Sequence, residues 1–402
     1  MSRLLLTFHR TLPAVVLIAI SLSALAEEPL AIPTDGEPFR AKLASVQTDW
    51  QFEFTAESDS RKLAGDDLVA WGKPVDPVSG IQVLVVGGGL IVTNPVKLAG
   101  ESLSGASASL GDWSLPIDVC AGIVLRATSG RNGGEALRRR ILSAKGRGDR
   151  LLLDNGDELT GTITALSETA VTLRREGDPL EVKLDTLAAI AFDPSLLAAP
   201  QTSGLRAIVG LNDGSHVLAT EMTADSRNAK LKVAGGGELQ TATAWITFVQ
   251  ILGGRAVYLS DLEPASYRHL PLLTLSWPYH NDLNVHGSQL RSGGRPYFKG
   301  LGLHSPARIT YDLAGKYQRF EADVAVDDSA GPRGSVAFRI FVDDGTGGWQ
   351  ERFTSPIIRG GEAPQRIAAD VSGAKRISLL VDFADRGDEL DHADWLDARL
   401  IK

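Results

Sequence analysis

The sequence predicts an all-β protein, and three observations carry that reading. Apolar and polar residues alternate in short runs, the period of a half-buried strand. The runs are separated by turn residues, and glycine stands at 42 of the 402 positions. A block of such runs also returns at a fixed offset of 58 residues.

Composition bounds the rest. Hydrophobic residues make up 43% and charged residues 22%, which is globular rather than disordered. The length suits two or three domains. A formal net charge of −8 argues against nucleic acid as a partner, because phosphate binding needs a basic surface. The single cysteine, Cys120, rules out an intrachain disulfide and zinc sites of the Cys-x-x-Cys kind. It sits in the apolar run Ile117–Leu125, where a small buried hydrophobe is expected rather than a reactive thiol.

The first 26 residues read as a secretory signal peptide. Arg3, His9 and Arg10 form a basic start. Leu12–Leu25 is an apolar run of signal length, and Ala24-Leu25-Ala26 is a small-x-small cleavage site. An uncleaved anchor is the alternative. No later stretch approaches the roughly 20 apolar residues of a spanning helix. The expected location is therefore secreted or periplasmic, with no membrane span after cleavage.

Glu27–Pro38 is a polar leader. Trp50, Phe52 and Phe54 then alternate with polar residues, and Asp67–Gly72 reads as a further strand. Val83–Val86 and Val119–Leu125 belong to a looser copy of the repeat. Glu135–Leu142 has the pattern of a short helix with Leu137 and Ile141 on one side. Its arginines are expected on a solvated face.

The repeat is clearest from Leu151 on. Leu151–Leu153 enters an Asn155-Gly156 turn, a strong hairpin signal. Leu159, Gly161 and Ile163 alternate with threonines, and Val171, Leu173, Leu180 and Val182 come after them. Leu153, Gly156, Thr162, Leu173 and Gly177 return as Leu211, Gly214, Thr220, Leu231 and Gly235. Each unit reads as about five short antiparallel strands. Such units either curl into small barrel-like folds of the SH3 or Sm type or share a sheet with their neighbours. Pro194–Gly204 is a linker between copies, and Ile251–Tyr267 joins the repeats to the C-terminal third. Leu272–Trp277 is expected to be the first strand of that third.

The C-terminal third holds a different pattern. Tyr297–Leu313 contains Lys299-Gly300-Leu301-Gly302-Leu303-His304-Ser305-Pro306. Tyr317, Phe320, Asp327-Asp328 and Asp391-His392-Ala393-Asp394-Trp395 come next, in that order. This set resembles the NPCBM/NEW2 family of carbohydrate-binding modules. The resemblance implies a galactose-binding-like β-sandwich (jelly roll) over 255–402, of a kind often appended to secreted glycoside hydrolases. The remaining segments are then a signal peptide over 1–26, β repeats over 27–130, a linker with a short helix over 131–149 and a two-copy repeat over 150–254.

Sugar sites offer an aromatic face to the pyranose ring and polar groups to its hydroxyls. Trp277, Tyr279 and Trp349 are candidates for the first role. Trp349 comes directly after the glycine-rich turn Asp343–Gly348 and is expected to be the most exposed. Trp395 is expected in the core. His304 either bonds a sugar hydroxyl or ties a strand end to a loop, and His392 faces the same two readings. Five of the seven histidines lie after residue 260. Asp382, Asp385, Asp388 and Asp391 stand in an acidic stretch that either holds a structural Ca²⁺ or is a solvated loop.

No glycosidase context, nucleophile elbow or phosphate loop is present. The expected function is non-catalytic glycan binding by the C-terminal module, with galactose-type glycans as the first partners. The alternative is a structural scaffold of the cell envelope that contacts other envelope proteins through the same sandwich and repeats.

Overall fold

A computed structural model describes residues 28–56, 59–127, 134–175, 177–271, 274–346 and 348–402. The signal-peptide reading falls outside them. The described residues are nearly all strand and turn, with one α-helix, Glu135–Leu142, as the sequence predicts. Among the described residues no helix is long and apolar enough to cross a membrane.

The repeat appears four times. The fourth unit shows the plan most clearly. Its strands are Arg206–Leu211, His216–Ala224, Asn228–Val233, Glu238–Ala242 and Ile246–Leu252. The first pairs with the second and the fifth, the second with the third, and the third with the fourth. A 3-10 turn, Thr243–Trp245, leads into the last strand. The same turn recurs as Gly65–Asp67, Ile117–Val119 and Leu184–Thr186. Each ladder is curled but open. Neighbours share a sheet, which is one of the two arrangements open to the sequence.

The sharing has a pattern. The last strand of the first unit, Leu68–Gly72, pairs antiparallel with that of the fourth, with Trp71 opposite Val249. The last strand of the second unit, Cys120–Ala127, pairs likewise with Leu187–Ala191 of the third, with Ile123 opposite Ile190. Single bridges repeat the relation: Val46 meets Ala224, and Leu98 meets Leu166. The outer units thus form one pair and the inner units another. A bridge between Leu90 and His216 joins the two pairs. One apolar core runs through all four units, with Phe52, Trp71, Ile123, Leu151 and Val249 in it. Cys120 is buried there, and burial pushes its thiol up to about 12, so it is an unreactive apolar filler.

The C-terminal part is an antiparallel sandwich. One sheet holds His280–Asn281, Gly300–His304, His392–Ile401, Arg319–Val326 and Gln365–Asp370 in that order. The other holds Ser266–His269, Ala307–Asp312, Arg376–Phe383, Ser335–Asp343 and Gln350–Thr354. Trp395 is fully buried between them, edge-on to Phe338 at 5.0 Å. The described part of the expected first strand, Thr274–Trp277, is not a strand. The chain enters through Ala256–Tyr258, which pairs with the C-terminal end of His392–Ile401, and the described residues 274–277 are irregular. Pro271 and Pro278 flank that stretch, and proline cannot donate to a ladder.

The sandwich is bolted to the repeats by polar contacts. Gln250 donates to Asp397 at 2.8 Å. Arg255 reaches Asp35 at 2.6 Å and Asp67 at 3.0 Å. Arg291 pairs with Asp76. The helix joins in, because Glu135 accepts from the Gln289 amide at 2.6 Å.

Candidate functional site

Two paired strand ends build one rim of the sandwich. His304 closes Gly300–His304 and sits opposite His392, which opens the C-terminal strand. Above them lies the loop from 274 to 287. This loop lies close because residue 302 is glycine. A Cβ there would fall 2.4 Å from the Leu283 carbonyl oxygen. Asn284 then shapes the loop. Its Oδ1 accepts from the amides of His286 and Ser288 at 3.0 Å, and its Nδ2 donates to Asp327 at 3.0 Å.

The outcome is a cluster of rings. Trp277 lies parallel on His304, centroids 4.8 Å apart and planes 4° apart. His286 stands edge-on to Trp277 at 5.6 Å and to His392 at 4.4 Å. His269 backs His304 at 5.9 Å. The hydrogen bonds fix the tautomers. His269 Nδ1 accepts from the Trp277 amide at 3.3 Å, so its Nε2 carries the proton toward the Ser305 carbonyl. His304 Nδ1 donates to the same carbonyl at 2.8 Å, which leaves Nε2 as an acceptor. His304 and His392 are buried, Trp277 is half-buried and His286 is exposed.

Two of the imidazoles, His304 and His392, are held neutral by burial. Burial lowers the pKa of His304, and burial with the nearby imidazoles of His286 and His304 lowers His392 to about 4. Beneath the rings, burial raises Asp391 to about 6 although it accepts from Ser305 and from the Ser335 amide. Asp394 is fully buried, neither of its oxygens meets a donor, and burial beside Asp327 pushes it well above the carboxylate range. Asp327 itself accepts from Asn284 and from the amides of Arg291 and Ser329. A half-exposed indole with neutral imidazole acceptors can stack on a sugar ring and bond its hydroxyls.

The sequence candidates separate into groups. Trp277 and His304 come together. Tyr279 lies beside them, 4.9 Å from Tyr267, whose hydroxyl donates to the Trp277 carbonyl at 2.8 Å. Trp349 is exposed, as expected, but at the opposite rim, with Arg376 over its ring at 5.2 Å. Asp343 faces Arg376 at that rim and Val336 faces Phe383 at the other. The seven steps from Val336 to Asp343 span about 23 Å at about 3.3 Å each. His392 joins the cluster, and so do His269 and His286, which the sequence does not single out as sugar ligands. The signal for them is the crowding of histidine into the last third.

Three of the four aspartates of the acidic stretch have partners within the protein. Asp382 accepts from its neighbouring amide of Phe383, Asp385 pairs with Arg359, and Asp391 is committed to Ser305 and Ser335. Among the described residues no three acidic, histidine or cysteine groups converge as a metal would require.

Residues 255–401 match the family described as the NPCBM/NEW2 domain. A Renibacterium salmoninarum protein provisionally named endo-alpha-N-acetylgalactosaminidase is 30% identical over 115 residues. That match covers 29% of this chain and 7% of the relative, so the chain spans only a small part of that protein. Among solved structures, the CBM51 module of a Clostridium perfringens GH95 protein in complex with methyl-galactose is 25% identical. It aligns over 36% of this chain and 99% of its own, with a TM-score of 0.32. CBM51-2 with the INT domains of Clostridium perfringens ZmpB, in complex with GlcNAc, is 26% identical over 45% of this chain and 37% of its own, with a TM-score of 0.33.

Proposed function

We propose that this protein is a secreted or envelope-associated carbohydrate-binding protein that recognises glycans without cleaving them, through the Trp277–His304 rim of its C-terminal module. The observation that carries the reading is the half-exposed Trp277 stacked on a neutral His304, with His286 exposed beside it. The match of residues 255–401 to a carbohydrate-binding module family supports it. The uncharged His304 and His392 suit a neutral sugar, and galactose and N-acetylated hexosamines are the first to test. A glycan array on the full chain, followed by titration calorimetry, tests the proposal. Binding that is abolished or weakened in Trp277→Ala supports it. No binding by a folded chain across a broad array sinks it.

Export belongs to the same proposal and rests on the pattern of the first 26 residues. Sequencing the exported protein should give Glu27 as its first residue. The second reading, an envelope scaffold, is favoured by the continuous four-unit sheet and its polar bolts to the sandwich. Capture of envelope proteins by a chain that binds no glycan would favour it over the first.

A further inference from the structure

A cleft of about 750 Å³ runs between the repeats and the sandwich, and it is separate from the ring cluster. Arg206 and His216 of the fourth unit line one side, and Phe298 and Lys299 of the sandwich line the other. Beside the helix it continues into a smaller space of about 160 Å³ that shares Leu283, Gln289 and Phe298 with it. The volume lies in the range of small-ligand sites.

Four arginines line the two spaces, and three are engaged. Arg138 donates to Gln82 at 2.7 Å, Arg139 to the His286 carbonyl at 3.2 Å, and Arg291 pairs with Asp76. Lys299 is held between Asp261 at 2.6 Å and Asp282 at 2.7 Å. Arg206 differs. Its Nε and Nη1 are withdrawn from solvent and meet no acceptor in the protein. Donors in that state carry a desolvation cost that a bound acceptor relieves. A carboxylate accepts a strong charge-assisted hydrogen bond from a guanidinium N–H. Six cationic side chains line the two spaces against four anionic ones, in a chain of formal net charge −8, so a monoanion is favoured. Phe298 is half-buried in the cleft, with the His216 ring 4.5 Å away, and offers a face for the apolar side of a sugar ring.

We propose that this cleft is a second glycan site, which takes the carboxylate of a uronic acid residue on Arg206 and seats its ring against Phe298. It differs from the rim site in both place and charge preference.

Methyl α-galactopyranosiduronate and methyl α-galactopyranoside differ only at C6, where a carboxylate replaces a hydroxymethyl group. Both are titrated into the full chain by calorimetry, with thermal shift as a second readout. The uronate should bind both the wild type and Trp277→Ala and raise the Tm of each. Arg206→Gln should weaken uronate binding at least tenfold and leave galactoside binding unchanged. Arg206→Lys keeps the charge without the guanidinium N–H donors, so it should show a smaller loss, and it stands in if the glutamine variant does not fold. The proposal is overturned if the wild type binds no uronate or does not distinguish the two ligands, or if Arg206→Gln binds the uronate as the wild type does. It is also overturned if Trp277→Ala abolishes uronate binding, which would place the ligand at the rim. Competition by inorganic sulfate as strong as that by the uronate would reduce the cleft to a bare anion site.

Discussion

Trp277 rests flat on His304 at 4.8 Å, and His304 is itself pinned by its bond to the Ser305 carbonyl. The indole is therefore pre-positioned, and little side-chain freedom is left to lose when a sugar stacks on it. Trp277→Ala should weaken glycan binding roughly 2- to 10-fold, from a stacking contact worth about 0.5–1.5 kcal/mol. Trp349→Ala, at the far rim, should leave affinity unchanged. Calorimetric titration of both variants checks this, and equal losses would place the site elsewhere.

His392 gives the fold an acid limit. Its folded pKa is about 4, below the ordinary 6.5. Between those values the unfolded chain binds a proton that the folded chain refuses, so stability falls as pH falls through that window. Asp391, raised to about 6, contributes the opposite trend below that value. The clean readout is a difference. His392→Gln should remove a pH-dependent contribution on the order of 3 kcal/mol. Its Tm should then drop less than that of the wild type between pH 6.5 and 4.

Asp394 should be improvable. Its carboxyl is buried without a donor beside Asp327, and its folded pKa lies well above that of the unfolded chain. Stability is therefore lost as pH rises above the unfolded value of 3.8. Asp394→Asn keeps the shape and has no charge to gain. It should raise Tm at pH 8, with the advantage shrinking toward pH 4. A lower Tm at pH 8 would contradict this placement of the proton.

The Arg291–Asp76 pair couples the two halves of the molecule. One Arg291 nitrogen donates to Asp76 at 3.0 Å, and the arginine is largely buried. Arg291→Ala should cost about 1–3 kcal/mol, because it leaves a charged acceptor at the interface without its donor. Asp76→Ala in the same chain should cost less than the sum of the singles. Denaturant titration of the two single variants and the double variant measures the coupling, and strict additivity would show that the contact carries none.

Exhaustive chelation should leave Tm unchanged, since Asp382, Asp385 and Asp391 are each committed to a different protein partner. A fall in Tm restored by added calcium would show that a cation is held there after all.

Much of this protein is local in its sequence. Strand periodicity and turn residues are short-range signals, so the 58-residue repeat, the helix at Glu135–Leu142 and the buried Trp395 were legible. Only the tertiary structure decided which strand edges meet. Val46 finds Ala224 while Leu98 finds Leu166, and no local pattern encodes a partner that far along the chain. The same limit split the site candidates. Exposure of Trp349 follows from its glycine-rich turn, but the rim it occupies depends on the direction of Ser335–Asp343 in its sheet. The ring cluster draws Trp277 and His286 from one loop and His304 and His392 from two strand ends, which only the closed sandwich brings within contact. In the acidic run, Asp382, Asp385 and Asp391 take separate partners (a neighbouring amide, an arginine and two serines), and closeness along the chain does not specify them.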